Sequence, residues 1–288
     1  MTVNRVWMAL LLGAAIWGCE KNTGASTAAQ KPLAGLRYFD AVLDTTYMDF
    51  RVVDIVQFAP NAVRAVFRSG GNPEGVGNGF LSPPFEPVQT GAHDLRVFLD
   101  STDLVTASTV MFDTTVTFAQ DHNYTFILYG SARAKTLHAM VLDDSAMALP
   151  ADNSVWVRTI NLGTGVDTTG LGPSVDAYAI LQTGSPAAPP TFAATAFATK
   201  TAYTRVAVGS LQAVLTRAGT LTQTATANFP AGTVGTSSSN PIAGSLVQNT
   251  AFSIIILPRS TPGAGVPFRY AGPAAYIMID QQPPLTAP

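Results

Sequence analysis

The 288-residue chain has a single cysteine, Cys19, and few charged residues. With one thiol no intrachain disulfide can form, so any domain must be stabilised by its own hydrophobic core. Charged side chains make up 12% of the residues, against roughly 25% in an average soluble domain. Polar uncharged residues and Ala must therefore cover much of the surface, which is more typical of extracellular β proteins than of cytosolic enzymes. The formal net charge of −2 gives no electrostatic basis for binding nucleic acid.

Histidine is equally scarce, which limits the metal and catalytic sites that the chain can build. The three histidines, His93, His122 and His138, lie outside metal-ligand spacing of one another, so we predict solvated histidines and no metal site. A Ser-His-acid triad would have to take its histidine from the first half of the chain, and the G-x-S-x-G elbow is absent. We predict that the protein is not an enzyme and has no catalytic residues and no cofactor; a hydrolase is the remote alternative.

The N-terminus has the features of an export signal. Arg5 precedes an uncharged apolar run at residues 6–16, which is too short for the ~20 residues of a membrane span but suits a signal peptide. The run ends at Ile16-Trp17-Gly18-Cys19, which resembles the lipobox of bacterial lipoproteins, although a small residue is usual at the position of Trp17. The resemblance implies cleavage before Cys19, diacylglycerol on its sulfur and acylation of its new amino group. A plain signal peptide followed by an incidental cysteine is the alternative.

These features predict a protein exported to the bacterial cell envelope, with its membrane contact made through lipid. Residues 1–18 are the predicted signal peptide, and residues 19–32 are the lipidated Cys19 and a tether. Residues 20–30 are small and polar, as in flexible linkers. One acyl chain such as palmitate binds a membrane only marginally, whereas two or three chains on one residue hold it there.

A stretch of about twenty residues occurs twice in the chain. Residues 93–112 and 210–229 each read as an apolar strand, a polar turn and a second strand rich in Thr and Val or Ala. This pattern predicts two β-hairpins, with turns at residues 100–103 and 216–219. The alignment places Leu95, Val97, Leu99, Leu104 and Phe112 opposite Leu211, Ala213, Leu215, Leu221 and Phe229. Two hairpins in the same order predict two similar β domains in tandem.

The rest of the chain divides into short strand-like runs separated by turns. With 24 Gly and 20 Pro, turns are frequent and long helices are not expected. We predict an all-β fold of two tandem immunoglobulin-like antiparallel β-sandwiches at residues 33–147 and 151–282, followed by a tail at 283–288. The predicted strands, besides the hairpins, are residues 36–43, 48–58, 62–67, 123–129, 136–142, 154–160, 174–181, 251–257 and 275–280, with Arg158 matched to Arg51. Pro83, Pro84 and Pro87 restrict the strand near them to a sheet edge or an irregular path.

Several of these runs resemble motifs of DUF4397, a bacterial domain of unknown function. Residues 50–54 (FRVVD) and 157–161 (VRTIN) are similar to its opening strand VRVVN, and residues 175–178 (VDAY) to its VDVY motif. Residues 197–209 resemble its FG-x-x-S-x-Y-x-x-V-x-x-G run, and residues 122–130 its G-x-x-Y-T-x-x-x-x-G run. The resemblance covers nearly the whole predicted mature chain in two copies. It implies exported, often lipid-anchored β-sandwich proteins without established catalytic residues.

The first copy departs most from the family pattern. Val63-Arg64-Ala65-Val66 stands where VDVY is expected, and the prolines at 83–87 interrupt the FG…Y run.

Two pairs of carboxylates offer weaker chemistry. Asp143 and Asp144 are adjacent on a predicted strand, so their side chains point to opposite faces and do not cooperate. Asp100 and Asp103 stand in a predicted turn, where such residues bond local amides. Calcium binding through carboxylate oxygens is the alternative.

The remaining choice is between kinds of binding protein. Trp156, Tyr178 and Tyr203 are candidates for a sugar-stacking platform, against the more common role of such residues as core or interface fillers. The leading hypothesis is a non-catalytic envelope protein that binds or displays through its loops or a sheet face, and the alternative is a carbohydrate-recognising surface module.

Overall fold

Short alternating runs bounded by turns form strands throughout the part of the chain that the structure describes. The computed structural model describes residues 32–45, 48–54, 66–68, 85–99, 101–145, 152–163, 171–259 and 272–285. The predicted signal peptide, Cys19 and nearly all of the tether lie outside these residues, as does the predicted domain boundary at 148–150. Within the described ranges no helix has the length and apolar character of a membrane span.

The described strands form four sheets, and these pair into two sandwiches that share one compact unit, Leu33–Pro288. The first sandwich contains β1 (Leu33–Asp40), β2 (Met48–Val52), β3 (Val66–Arg68), β4 (Glu86–Gln89), β5 (Gly91–Leu99), the helix α1 (Leu104–Ala107), β6 (Val110–Phe118), β7 (Asn123–Ser131) and β8 (Thr136–Asp143). The second contains β9 (Ser154–Asn161), β10 (Ser174–Leu181), β11 (Phe192–Ala196), β12 (Thr199–Lys200), β13 (Thr204–Ala207), β14 (Leu211–Arg217), β15 (Gln223–Asn228), β16 (Ala251–Leu257) and β17 (Ala274–Gln281). The predicted all-β sandwich fold is confirmed.

The two sandwiches have corresponding strand orders. In the first, the sheet β4-β1-β7-β8 packs on the sheet β3-β2-β5-β6; in the second, β12-β9-β16-β17, with β13 also on β9, packs on β11-β10-β14-β15. Most pairs are antiparallel, but β1 pairs with β7, and β9 with β16, in parallel. The strand β4, which contains Pro87, is an edge strand of its sheet, as the missing amide donor of that proline favours.

Buried side chains fill three layers between the four sheets. Each sandwich has its own core, and a third apolar cluster joins the sheet of β1 and β7 to the sheet of β9 and β16. Alternation along β1 explains this: Leu36 and Tyr38 point into the first core, whereas Phe39 belongs to the joining cluster. The members of the joining cluster are Phe39, Ala41, Leu43, Ile127, Tyr129, Leu142, Ile160, Leu162, Ile255, Leu257, Tyr276 and Met278. We call the sheet that contains β1 and β7 and the sheet that contains β9 and β16 the central sheets.

The pairing registers correct the predicted alignment of the two halves. Arg37 in β1 pairs with Thr125 in β7, and Arg158 in β9 pairs with Ser253 in β16. The counterpart of Arg158 is therefore Arg37, and the prediction that it matches Arg51 was wrong. The error arose because both arginines lie among apolar residues, and only strand pairing separates them.

The hairpins are also shifted by two residues relative to the predicted alignment. The β5–β6 pairing shifts register just after Val97, and the β14–β15 pairing shifts just after Leu215, so Val97 corresponds to Leu215 rather than to Ala213. Their partners Phe50 in β2 and Ala177 in β10 then correspond as well. The same register aligns residues 48–51 of β2 with the VDAY run at residues 175–178 of β10. The predicted counterpart at 63–66 lies mostly outside the described residues.

The first hairpin has a longer connection than the sequence pattern predicts. Asp103 caps α1 by accepting a hydrogen bond from the backbone N–H of Thr106 at 2.8 Å. Leu104 is therefore helical, and the second strand, β6, begins only at Val110. The local-amide role predicted for Asp103 is the one observed, while Asp100 lies outside the described residues.

Candidate functional site: a buried ionic cluster between the central sheets

Two arginines point from the middle of β1 and β9 into the space between the central sheets. Arg37 and Arg158 follow the core residues Leu36 and Val157, so strand alternation turns both guanidinium groups away from the sandwich cores and toward the opposite central sheet. Both side chains are almost fully buried. A buried cation is stable only when paired and hydrogen-bonded, so the contacts of these two side chains decide what the region does.

Arg37 is bonded through all three guanidinium nitrogens. Its Nε donates to the Thr125 hydroxyl at 2.6 Å, and its Nη1 donates to the backbone carbonyl of Ile279 at 2.6 Å. Its Nη2 donates to Asp280 at 2.9 Å and to Asp144 at 3.2 Å. Arg37 therefore ties its own sandwich, through Thr125 and Asp144, to the last strand of the other.

Arg158 makes the corresponding contacts from the second sandwich. Its Nε donates to the Ser253 hydroxyl at 2.7 Å, and its Nη2 donates to Asp144 at 2.6 Å and lies 3.4 Å from Asp280. The hydroxyls of Thr125 and Ser253 in turn donate to Asp144 and Asp280, respectively. Each arginine thus contacts a hydroxyl of its own sandwich and both carboxylates.

Aromatic rings cover both guanidinium groups. Phe85, just before β4, lies 4.4 Å from the Arg37 guanidinium carbon, and Tyr203, just before β13, lies 4.6 Å from that of Arg158. Both are cation–π distances. The Tyr203 hydroxyl also donates to Asp280 at 2.8 Å. Phe85 has no hydroxyl, so Asp144 has no equivalent bond. We call Arg37, Arg158, Asp144, Asp280 and the groups bonded to them the ionic cluster.

Burial and mutual attraction set the protonation of the ionic cluster. Burial raises the pKa of Asp280 above its ordinary value, Arg158 and Arg37 oppose that rise, and Asp144 adds to it. Burial alone would lower the pKa of Arg158, but Asp280 and Asp144 hold it above its usual range. Burial, reinforced by Asp280, also raises the pKa of Tyr203. With two arginines and two aspartates, the cluster is electrically neutral when all four groups are charged.

This arrangement cross-links the two sandwiches and leaves no reactive group open. All four oxygens of Asp144 and Asp280 accept hydrogen bonds from the groups above, and their side chains are 1% and 2% exposed. A catalytic acid or a metal ligand needs an oxygen that a substrate or ion can reach. The ionic cluster therefore fixes the orientation of the two central sheets.

The comparison with known families covers most of the first half of this architecture. Residues 34–169 match the family model of DUF4397, a domain of unknown function. The predicted resemblance is confirmed for this segment, which is a little under half of the chain. No curated protein matches the chain. The DUF4397 segment contains Arg37, Thr125, Asp144 and Arg158 of the ionic cluster, whereas Ser253 and Asp280 come from the chain beyond it.

The histidines of the DUF4397 segment lie apart from one another. His93 is buried, with Nδ1 at 2.8 Å from Asp54 and Nε2 at 2.8 Å from the Gln89 carbonyl, so the prediction that it is solvated was wrong. His122 is half-exposed and pairs with Asp143 at 2.8 Å. Among the described residues no group of three or more His, Cys, Asp and Glu side chains is placed to hold a metal ion.

One Ser, His and Asp group does occur at the end of β8, but it lacks the order of a catalytic triad. Asp143 accepts hydrogen bonds from both the Ser145 hydroxyl and His122. A nucleophilic serine must donate to the histidine, and the histidine to the carboxylate. Here the carboxylate stands in the middle, so the histidine is not positioned to take the serine proton.

The adjacent aspartates point to opposite faces, as the strand pattern predicts. Asp143 is half-exposed, and its pKa is lowered by hydrogen bonds from Ser145 and His122 that outweigh the opposing effect of its partial burial. Asp144 lies in the ionic cluster. The carboxylates therefore have separate environments and separate partners.

The three aromatic candidates do not form one platform. Tyr178 is buried in β10 of an outer sheet. Trp156 lies in β9 of a central sheet, and Tyr203 lies just before β13, which pairs with β9. The rings of Trp156 and Tyr203 are already covered by Arg205, 5.1 Å from the Trp156 ring centre, and by Arg158. The geometry supports the interpretation of these residues as fillers of cores and interfaces.

Sequence reasoning missed the ionic cluster, although one local signal pointed toward it. Phe85-x-x-Val88-x-x-Gly91 and Tyr203-x-x-Val206-x-x-Gly209 share the same spacing, and each aromatic residue stacks on an arginine. The predicted interruption of this run by the prolines at 83–87 does not remove its aromatic position, because Phe85 takes the place of the tyrosine. This spacing identifies the aromatic residue of each stacked pair, and an arginine one residue after a core position identifies its cation.

Proposed function

We propose that this protein is a non-catalytic, lipid-anchored protein of the bacterial cell envelope, and that its double sandwich is a rigid scaffold for binding or display. The observation that carries the proposal is the closed ionic cluster. It joins Arg37 and Arg158 to carboxylates of both sandwiches, beside a continuous apolar layer. Two domains fixed in this way hold their end loops at a constant distance and orientation.

We further propose that the second sandwich is a second, DUF4397-like copy. Corresponding strand orders, parallel pairs and arginine contacts support this. In an internal repeat, each copy presents the same face to the other, as in a two-fold symmetric dimer. The proposal explains why Arg37 and Arg158 contact the same two carboxylates.

The test of anchoring is acyl labelling in a bacterial host. Cells expressing the chain are fed an alkyne analogue of palmitate, and the protein is examined for label and for its location in membrane, periplasmic and cytosolic fractions. We expect label and membrane fractionation for the wild type, and neither for Cys19→Ser. Unlabelled wild-type protein in the cytosol would refute the anchoring proposal.

The test of binding without catalysis uses the anchored protein on isolated envelopes. Retention of envelope polysaccharide on immobilised protein would favour the carbohydrate-recognising alternative, while retention of a protein and no glycan would favour a protein-binding scaffold. Turnover of any ester, peptide or glycoside in a hydrolase panel, abolished by a single substitution, would contradict a non-catalytic role.

A further inference from the structure

The two sandwiches lie side by side with their first strands running in the same direction. Arg37 in β1 contacts the carbonyl of Ile279, which is level with Val157 near the start of β9 through the pairing with β16. Two residues further along β1, the ring of Phe39 lies 5.1 Å from that of Tyr276, which is level with the second half of β9. Advancing along β1 therefore also advances along β9.

It follows that Leu33 and Ser154, the first residues of β1 and β9, mark the same end of the molecule. We call it the proximal end, because the tether joins the described unit there through the bond between Pro32 and Leu33. We call the opposite end the distal end. The strand β5 ends there at Leu99, beside the start of β2 at Met48, and α1 follows β5. The molecule thus has two distinguishable ends.

A projecting hairpin leaves the proximal end between β15 and β16. It starts beside Leu211, whose carbonyl accepts from the N–H of residue 229, and returns at Asn249, which donates to the Ser154 carbonyl. Thr233 and Ile242 exchange both backbone hydrogen bonds within it. We call residues 230–248 the proximal hairpin.

Large aliphatic side chains are exposed on and beside this hairpin. Val234 and Ile242 are each 64% exposed, and Leu246 is 42% exposed. Leu181, at the end of β10, is 54% exposed and lies against Gly209, whose N–H donates to Ser245 of the hairpin. Exposed aliphatic side chains also occur at the distal end, where Leu104, Val105 and Leu221 lie. The proximal group differs because it lies on and beside a hairpin at the end where the tether joins, and such a group can form an interaction surface.

The proximal hairpin itself carries no charge. There is no Asp, Glu, Lys, Arg or His between Arg217 and Arg259, nor between Asp176 and Lys200. Burying an ionised side chain in an apolar phase is costly, and the proximal hairpin presents none. The charged groups near the same end are the paired Asp152 and Arg205 and the acidic Asp121 and Asp143. Their balance is negative, so the hairpin suits an apolar phase rather than an anionic one.

We propose that the proximal hairpin rests in the interface of the lipid bilayer to which Cys19 is attached, and so sets the orientation of the protein on the membrane. This inference rests on the proposed lipid anchor. The tether of residues 19–32 has 14 residues, and a flexible chain of that length spans about 20 Å on average. A tether of that span holds the lipid surface near the proximal end, which is the end that carries Val234 and Ile242. Because Thr233 pairs with Ile242, Val234 and Ile242 point to opposite faces of the hairpin. The hairpin therefore enters the lipid with an aliphatic side chain on each face, Leu246 and Leu181 lie at its base, and the distal end points away.

The test uses the unique thiol to attach the protein to vesicles whether or not cells acylate it. The chain 19–288, which keeps every described residue, is coupled through Cys19 to maleimide lipid in phosphatidylcholine vesicles containing brominated lipid. Trp156, the single tryptophan of this chain, is replaced by Phe, and one new tryptophan is introduced as Ile242→Trp or, as the matched control, Leu104→Trp. Leu104 is 85% exposed and lies at the distal end.

We expect bromine to quench the fluorescence of the Ile242→Trp chain and to leave that of the Leu104→Trp chain unchanged. Adding Val234→Ser and Leu246→Ser should reduce the quenching at position 242, because the affinity of an amphipathic surface for lipid scales with its buried apolar area. High salt should leave it unchanged. Equal quenching at both positions, or quenching at neither, would overturn the proposal. Since coupling replaces acylation, quenching at 242 together with failed acyl labelling would refute only the anchor.

Discussion

The substitution Asp144→Asn tests whether the ionic cluster holds the two sandwiches together. The Asp144 carboxylate accepts from Arg37, Arg158 and Thr125 within a neutral group of two arginines and two aspartates. An amide of the same shape removes one negative charge and leaves the buried cluster with a net positive charge. Breaking a buried ion pair in this way costs about 3–5 kcal/mol, so we expect a loss of stability in that range.

The neighbouring residue supplies the control. Asp143→Asn makes the same chemical change one position away, on a side chain that is 46% exposed and paired with half-exposed His122. Exposed pairs contribute about 0.2–1 kcal/mol. Urea unfolding of the chain 19–288, followed by the fluorescence of Trp156, should therefore show a midpoint lower by roughly 1–2 M for Asp144→Asn and almost unchanged for Asp143→Asn.

Equal midpoints for these two variants would refute the reasoning. A second measurement separates the effect of the unbalanced charge on stability from the effect of altered packing. Combining Asp144→Asn with Arg158→Met restores neutrality, because Arg37 and Asp280 remain as a pair. The double variant should be more stable than the sum of the single effects predicts, by roughly 2 kcal/mol or more. Additive losses would mean that the four groups do not act as a unit.

Three further substitutions test particular contacts. Tyr203→Phe removes the partly buried hydrogen bond to Asp280 and should cost about 1–2 kcal/mol in urea unfolding. Burial raises the pKa of Tyr276 from 10.0 to about 12, so its contribution to stability is complete below pH 10 and is lost as the pH rises through 12. The free energy of unfolding of Tyr276→Phe should therefore fall less steeply with pH than that of the wild type between pH 10 and 12. The difference should reach up to ~3 kcal/mol in stability measured against pH. Gly130→Ala, at φ +106°, drives a Cβ into the backbone of β8 and should cost about 3 kcal/mol or more by thermal unfolding.

Each of these predictions has an internal control. Phe85 shows that a ring without a hydroxyl is tolerated over an arginine, so a loss far above 2 kcal/mol for Tyr203→Phe would contradict a single lost bond. For Tyr276, parallel wild-type and variant curves between pH 10 and 12 would show that its ionisation does not drive alkaline unfolding. Gly219→Ala has φ +77° but no atom within 4 Å of its Cβ, so it should cost only about 1 kcal/mol; equal losses at Gly130 and Gly219 would rule out the overlap.

Strand positions could be predicted from sequence wherever a buried run has clear borders. The predicted ranges 174–181 and 251–257 coincide with β10 and β16, because each is an apolar run that begins and ends at polar or turn residues. The alignment of the two halves could not be predicted in the same way. Alternation repeats every two residues, so a two-residue shift of Val97 against Ala213 or Leu215 keeps the same faces buried, and only the pairing partners decide between them.

The ionic cluster escaped prediction for a different reason. Its members are far apart in the chain: Arg37 lies 107 residues from Asp144 and 243 residues from Asp280. No local spacing records such a contact, and an arginine in a strand is usually assigned to a solvated face. What the sequence does show is that charge is scarce, at 12% of residues, and that two of its 16 basic residues interrupt apolar strands at equivalent positions.

The cluster also shows that the structural unit is larger than the segment that matches DUF4397. That segment ends at residue 169, after β9 but before Ser253 and Asp280. Without the later residues Arg37 would lose the Ile279 carbonyl and the Asp280 carboxylate, and Arg158 would lose the Ser253 hydroxyl. The two arginines would then have a single carboxylate partner, Asp144. The central sheet of β1 and β7 would also lose its apolar contacts with β16 and β17. The chain beyond residue 169 is therefore required to neutralise charges that the DUF4397 segment buries.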